Sequence, residues 1–391
     1  MNSFTFWSPT KVIFGENIVS SVGDEIRSFG GSNVLVFYGM GSAAKSGVLD
    51  TVTKSLDDSG LRYAAVGGVH INPTVDFAQK AVDMFKGAGI DFVLGLGGGS
   101  VIDTAKVVAH GLASPDVPIW DFMTLKTEVT KSLPVGTVLT IAAAGSETSM
   151  SAVLTNTSLD IKRGLSSHFN RPVFAIMDPV LTYSLPKRHT ACGVVDILMH
   201  TLDRYFAPDA ENSLTDEFAE ALMRVVIRYG PVAMDFPDDY KARSELMWAG
   251  SLSHNALTGL GQTLDFSVHQ LGHALSGKFD IPHGESLSIV WPAWAKFVYH
   301  EDVARFARYA RKVWGISGSD HEAAALAGIS ATVEFFRRLG APVSMTEAFG
   351  GDFDVDIDEL ADLCTYGKTR TIGSFKVLGF DEIEDIYRIA K

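Results

Sequence analysis

The sequence predicts an α/β N-terminal domain with a parallel sheet over residues 1–185, followed by an all-α C-terminal domain over residues 186–391. Three observations predict it. Short apolar runs of strand length alternate with amphipathic stretches in the first half, as expected of parallel strands covered on both faces. In the second half, apolar residues recur at three- and four-residue spacing, as in Ala325, Ile329, Val333 and Phe336. Asp178-Pro179 and Leu185-Pro186 punctuate the chain where one pattern gives way to the other.

Taken in order, Val34–Tyr38 reads as the first strand, and a glycine turn leads into a helix over about 42–59. Residues 63–67 read as a strand, 74–86 as a helix, 91–96 as a strand and 100–110 as a helix. Residues 135–140 give a further strand. Beyond the boundary, residues 214–229 and 321–339 read as long helices, rich in Ala, Leu, Met, Glu and Arg.

With 391 residues the chain suits about two domains. The net charge of -13, with no Lys/Arg run, argues against a nucleic-acid partner. No run of about 18 apolar residues exists, so no membrane span is expected. The N-terminal residues lack the basic-then-apolar order of a signal peptide. Cys192 and Cys364 are the only cysteines, which predicts neither a disulfide framework nor a thiolate zinc site and suits a reducing cytoplasm.

Gly97-Gly98-Gly99-Ser100 ends an apolar strand and opens a helix. Glycines let the backbone approach a bulky ligand, and the free N–H groups of a helix N-terminus attract phosphate. The spacing is not G-x-G-x-x-G, so the turn alone reads equally well as a flexible connection; its place between strand and helix favours a pyrophosphate site. A second turn, Gly39-Met40-Gly41-Ser42, carries no acid to hold a ribose diol, and Lys45 follows one helical turn later. That favours NADP(H) over NAD(H), the alternative being a plain turn with a solvated lysine.

Two stretches carry carboxylate and imidazole groups at metal-ligand spacing. Asp196 and His200 lie four apart, as do His269 and His273, and His283 follows ten residues later. Groups four apart share one helix face. A single such pair is commonly accidental; two pairs and a further His point to a divalent transition metal. Spacing alone does not choose among His269, His273 and His283. Four protein ligands also close a tetrahedral site, so catalysis requires a further open position.

These pieces together resemble an iron-containing (group III) alcohol dehydrogenase over essentially the whole chain. The resemblance rests on Phe14-Gly15, Asn72-Pro73-Thr74, residues 97–106 and Gly145-Ser-Glu147. It continues through Leu185-Pro186, Asp196-x3-His200 and His269-x3-His273-x9-His283-Gly284. The last two motifs are specific; the glycine motif by itself is not. Tyr38 to Ser42, Lys45 to Asp50, Phe169 and the segment 171–186 resemble the butanol dehydrogenase and NADPH-dependent aldehyde reductase branch.

The resemblance implies a dinucleotide-binding domain at 1–185 and a metal-binding domain at 186–391, the fold shared with dehydroquinate synthase. It implies one divalent metal, Fe(II) or Zn(II), on Asp196, His200, His269 and His283, with His273 beside the site as a proton relay or an orienting group. It implies cofactor contacts at Gly39, Gly41, Ser42, Asn72, Gly97, Gly98, Gly99, Ser100, Asp103, Thr140, Ser149, Lys162 and Leu181. Ala144 stands where many members carry a threonine near the cofactor, and Met40 where the branch often has glycine.

The reaction implied is metal-polarised hydride transfer between NADP(H) and a primary alcohol/aldehyde pair, in the direction of aldehyde reduction, by a cytoplasmic homodimer acting on a small molecule. Phe266, Trp248 and His254 are candidate pocket residues, each also readable as ordinary core. Two rivals stand beside this reading. A cyclase or lyase like dehydroquinate synthase shares fold, nicotinamide cofactor and metal, but is not expected to ligate through an Asp196/His200 pair. A non-catalytic nucleotide- or metal-binding protein on the same scaffold is the other.

Overall fold

Two neighbouring parallel strands running into glycine organise the first unit. The structure is a computed structural model that describes residues 1–208, 212–351 and 353–391. The chain divides into two compact units, Trp7–Leu185 and Pro186–Lys391, with Met1–Phe6 joining the second. The first domain expected from the sequence began at residue 1. Those six residues are instead anchored in the helical unit, where the Asn2 amide donates to the Gly261 carbonyl at 2.9 Å.

In Trp7–Leu185 the strands are β1 (Lys11–Phe14), β2 (Asn33–Gly39), β3 (Arg62–Val69), β4 (Phe92–Gly97), β5 (Val135–Leu139), β6 (Ser151–Asn156), β7 (Ile161–Ser166) and β8 (Phe174–Met177). Among the described residues, six form a parallel sheet in the order β1-β8-β5-β4-β2-β3. β6 and β7 form a separate antiparallel hairpin.

Side chains alternate across the strands and feed two cores. Leu35, Phe37 and Val93 pack with Ala78, Val82, Val101 and Ala105 on one face. Val34, Val36, Phe92 and Leu94 pack with Val22, Ile26, Val52 and Leu56 on the other. Burial on both faces explains why these strands are apolar throughout. The helix expected over about 42–59 is two helices, Ser42–Lys45 and Val48–Asp58, because Gly47 adopts φ +79° between them.

Among the described residues, the second unit is built of helices, with an isolated bridge between Ile372 and Leu378. Every residue from Thr190 to Tyr205 of the Lys187–Tyr205 helix is buried. A helix covered on all sides is a central element of its unit. The His283–Val298 helix packs against it at very short range. A Cβ on Gly284 would lie 2.2 Å from the Cys192 carbonyl oxygen, so only glycine fits there. No helix among the described residues is long and apolar enough to cross a membrane.

Candidate metal centre and cofactor cradle

The central helix presents Asp196, His200 and Asp203 at i, i+4 and i+7, one face over two turns. The Ser267–Phe279 helix presents His269, and the His283–Val298 helix begins with His283. Ligand atoms of Asp196, His200 and His269 all lie within 4.8 Å of one another, and all three residues are buried. Asp196 Oδ1 is 3.4 Å from His200 Nε2, 3.9 Å from His269 Nε2 and 4.0 Å from His283 Nε2. Metal–ligand bonds of about 2.1 Å at tetrahedral angles separate neighbouring ligand atoms by about 3.4 Å. His283 stands at the rim of the cluster, its side chain 23% exposed where those of Asp196 and His200 are 6% and 5%.

The donor chemistry fits a divalent cation. Burial, then the neighbouring His254 and His269 rings, hold His200 well below the ordinary imidazole range, so the ring is neutral and offers a lone pair. His269 donates Nδ1–H to Asp203 Oδ2 at 2.5 Å. That fixes the tautomer with the lone pair on Nε2, an atom buried without a hydrogen bond among the described residues.

His273 is buried one turn beyond His269. Its ring centroid is 6.5 Å from that of His269 and 5.1 Å from that of His283. It stands beside Asp196, His200 and His269 and outside their cluster. His254 stacks on His200 with centroids 3.9 Å apart. Phe266 adopts φ +55° immediately before the His269 helix, and its ring meets His269 edge-on at 5.3 Å. Trp248 is exposed. Of the three pocket candidates, His254 and Phe266 therefore touch the histidine cluster.

Asp203 escaped the sequence analysis. The Asp196/His200/Asp203 spacing on one helix face carried the signal, but two carboxylates and an imidazole at that spacing also describe a solvated surface. Only the burial of the whole helix distinguishes the two.

In the α/β unit, the register pairs Tyr38 with Leu96, so β2 and β4 end side by side at Gly39 and Gly97. The chain passes from β2 outward to β3 and returns to the opposite side of β2 as β4. Such a reversal point, at the carboxyl ends of parallel strands, is where open α/β sheets bind ligands. A Cβ on Gly98 would fall 2.2 Å from Ile141 Cγ2, and one on Gly97 2.6 Å from Val101 Cγ2. Gly99 and Ser100 open the Gly99–Ala113 helix, whose first N–H groups lack partners within the helix.

The other expected cofactor residues make the following contacts. Gly41 at φ +124° caps the Ser42–Lys45 helix, where Ser42 and Lys45 are exposed. Ser100 Oγ donates to the Ile71 carbonyl, and Lys162 Nζ donates to Asn72 Oδ1 at 2.9 Å. The Thr140 amide donates to the Gly97 carbonyl. Leu181 packs against the β2 and β4 core. Asp103 already accepts from Ser146 Oγ at 2.5 Å and from the Val153 amide at 2.9 Å, and burial pushes its carboxyl upward. Buried Lys106 donates to Ser146 Oγ and the Ser151 carbonyl, with its amine pushed down to about 8 by burial. Ser149 Oγ lies 3.4 Å from the same amine. The Ala144 Cβ lies 3.6 Å from the position a Gly99 Cβ would take.

Residues 9–179 match the family of iron-containing alcohol dehydrogenases, and residues 190–391 match the C-terminal part of the Fe-containing alcohol dehydrogenase family. The chain is 36% identical over 390 residues to NADH-dependent butanol dehydrogenase A of Clostridium acetobutylicum, covering 99% of each chain. It is 34% identical over 394 residues to the NADPH-dependent aldehyde reductase YqhD of Escherichia coli, covering 100% of each. The solved structure of NADH-dependent butanol dehydrogenase A from Thermotoga maritima superposes with a TM-score of 0.96 at 37% identity, covering 100% of this chain and 99% of that one. The chain belongs to the iron-containing alcohol dehydrogenase family and is an oxidoreductase of that class.

Proposed function

We propose that this enzyme transfers a hydride between NADP(H) and a primary alcohol/aldehyde pair, working toward aldehyde reduction. The observation that carries the reading is the buried cluster of one carboxylate and two imidazoles, with the His269 tautomer already set for a metal. Asp196, His200, His269 and His283 are the ligands in this reading, a set that suits Fe(II) and Zn(II) alike. When bound, the metal supplies a Lewis acid for the carbonyl oxygen and the nicotinamide supplies the hydride. His273, buried next to His283, passes the proton that completes the alcohol. Phe266 and His254 border the histidines and exclude bulk water from them.

For the cofactor, the N-terminus of the Gly99–Ala113 helix receives the pyrophosphate, and the Gly39–Ser42 turn receives the adenosine ribose. Support for NADPH comes from the acid-free turn and the exposed Lys45 beside it. The names of the relatives divide on this point between NADH-dependent and NADPH-dependent. Asn72, Thr140, Ser149, Lys162 and Leu181 hold the remainder of the dinucleotide, and Asp103 acts by bracing Ser146 and Val153 around it.

A homodimer is part of the same reading. Phe4, Phe6 and Trp7 form an exposed apolar stretch, and β1 is an edge of the sheet. Two buried cysteine thiols suit the cytoplasm. The test is a panel of aldehydes and alcohols, with NADPH and NADH, on protein whose metal content has been measured. Aldehyde-dependent oxidation of NADPH by metal-replete protein is expected. Metal-replete protein that binds NADPH and oxidises it with no aldehyde would overturn the reading.

A further inference from the structure

We infer that Asp203 is the positioning residue of the metal centre, fixing His269 as a ligand through both its ring and its backbone. The inference rests on the ligand assignment just proposed. Asp203 Oδ2 accepts the His269 Nδ1–H at 2.5 Å and the His269 amide N–H at 3.2 Å. The second bond satisfies an orphan donor in the first turn of the Ser267–Phe279 helix, whose N-cap residue, Phe266, provides no side-chain cap. One carboxylate therefore sets three things together: the start of the helix, the rotation of the His269 ring and its tautomer.

The charge of Asp203 acts on the ligand as well as its shape. A carboxylate hydrogen-bonded to the far nitrogen of a ligating imidazole raises the ring's basicity toward a metal. Asp203 is 1% exposed, so water competes little for that bond. The carboxylate is itself held in place. Its residue lies in the buried central helix, and its backbone carbonyl accepts the Asp265 amide at 3.2 Å.

Asp265 provides a built-in comparison. Its Oδ2 accepts from the Ser267 amide and Oγ, and its Oδ1 accepts from the Ser374 and Phe375 amides at 2.7 and 2.8 Å. It caps the same helix and ties down the C-terminal segment, yet none of these hydrogen bonds reaches the ring of a residue proposed as a ligand. A residue that only stabilises the helix behaves like Asp265; a residue that tunes the ligand does not.

The test is Zn(II) binding to metal-free protein, measured by chelator competition on the full chain, for wild type, Asp203→Asn and Asp265→Ala. Asp203→Asn is expected to weaken Zn(II) binding by about 10- to 100-fold. Asp265→Ala is expected to lower the thermal midpoint of the metal-free protein while Zn(II) affinity stays within about threefold of wild type. Wild-type affinity in Asp203→Asn, or an equal loss in Asp265→Ala, would overturn the inference while leaving the ligand assignment standing. A wild-type protein that takes up no Zn(II) would instead remove the ligand assignment itself. Should Asp203→Asn fail to fold, histidine-ring proton–nitrogen spectra of wild type carry the test. His269 must appear as the Nδ1–H tautomer with and without Zn(II); an Nε2–H ring in the metal-free protein overturns the inference.

Discussion

His200 Nε2 lies 3.4 Å from Asp196 Oδ1, one turn apart on a helix buried from Thr190 to Tyr205. A neutral imidazole and a carboxylate that close, out of water, are half of the chelate proposed above. His269 approaches from a second helix and completes the buried trio. His269→Ala is therefore expected to reduce bound metal to below about one tenth of wild type after dialysis against a weak chelator, and kcat/KM by at least about 100-fold. Elemental analysis alongside turnover checks both. A variant with full metal content and full turnover would remove His269 from the ligand set.

Gly284→Ala is expected to damage the same centre without changing any of the residues proposed as ligands. The new Cβ would lie 2.2 Å from the Cys192 carbonyl oxygen and 2.6 Å from its Cα, both backbone atoms of the central helix. Neither atom can turn aside as a side chain would, so the two helices must part at the residue next to His283. Overpacking of this kind costs about 1–3 kcal/mol. Denaturant unfolding should show that loss, and Zn(II) affinity should fall with it. An unchanged midpoint would mean the helices separate freely.

Much of this arrangement was legible in the sequence, and its limits have physical causes. The strands β2, β4 and β5 are buried on both faces, so their apolar runs announced them. β1 and β8 have four residues each, too short to stand out, and the β6–β7 hairpin alternates burial and carries Lys162 and Arg163. The Asp196/His200 and His269/His273/His283 stretches stood out because carboxylate and imidazole groups recur there at helix-face offsets; the choice among the three histidines came only from the family resemblance. Asp203 did not, because its spacing from Asp196 and His200 equally describes a solvated helix face and its partner, His269, lies 66 residues away. The family resemblance implied a cofactor contact at Asp103; the folded chain shows its carboxylate accepting from Ser146 and Val153.

Cofactor choice is expected to depend on Lys45. It is exposed in the last turn of the short helix that follows the acid-free Gly39–Ser42 turn. A charge-assisted hydrogen bond to a 2′-phosphate contributes roughly 1.5–3 kcal/mol. Lys45→Ala should then raise KM for NADPH by about tenfold or more and leave KM for NADH nearly unchanged. Steady-state kinetics with both cofactors decide it. A wild-type enzyme with the lower KM for NADH would show that the turn serves a ribose diol instead.

Acid stability is expected to turn on His110, far in sequence from Asp196, His200 and His269. Its ring is fully buried, with Nε2 2.6 Å from Asn170 Oδ1 and Nδ1 2.9 Å from Ser132 Oγ. Asn170 donates its amide hydrogens to the Met150 and Leu165 carbonyls, which leaves Oδ1 to accept the His110 Nε2–H. Burial lowers the His110 pKa to about 4, below the ordinary 6.5, with the Asn170 bond opposing the shift. The unfolded chain thus binds the extra proton first, and folding stability falls as pH drops from about 6.5 toward about 4. Between pH 7 and pH 5 this one group is expected to remove about 2 kcal/mol of stability. In His110→Gln, which cannot take up that proton, the unfolding midpoint should start lower at pH 7 but decline less between pH 7 and pH 5. Parallel declines in wild type and variant would show that other groups set the acid limit.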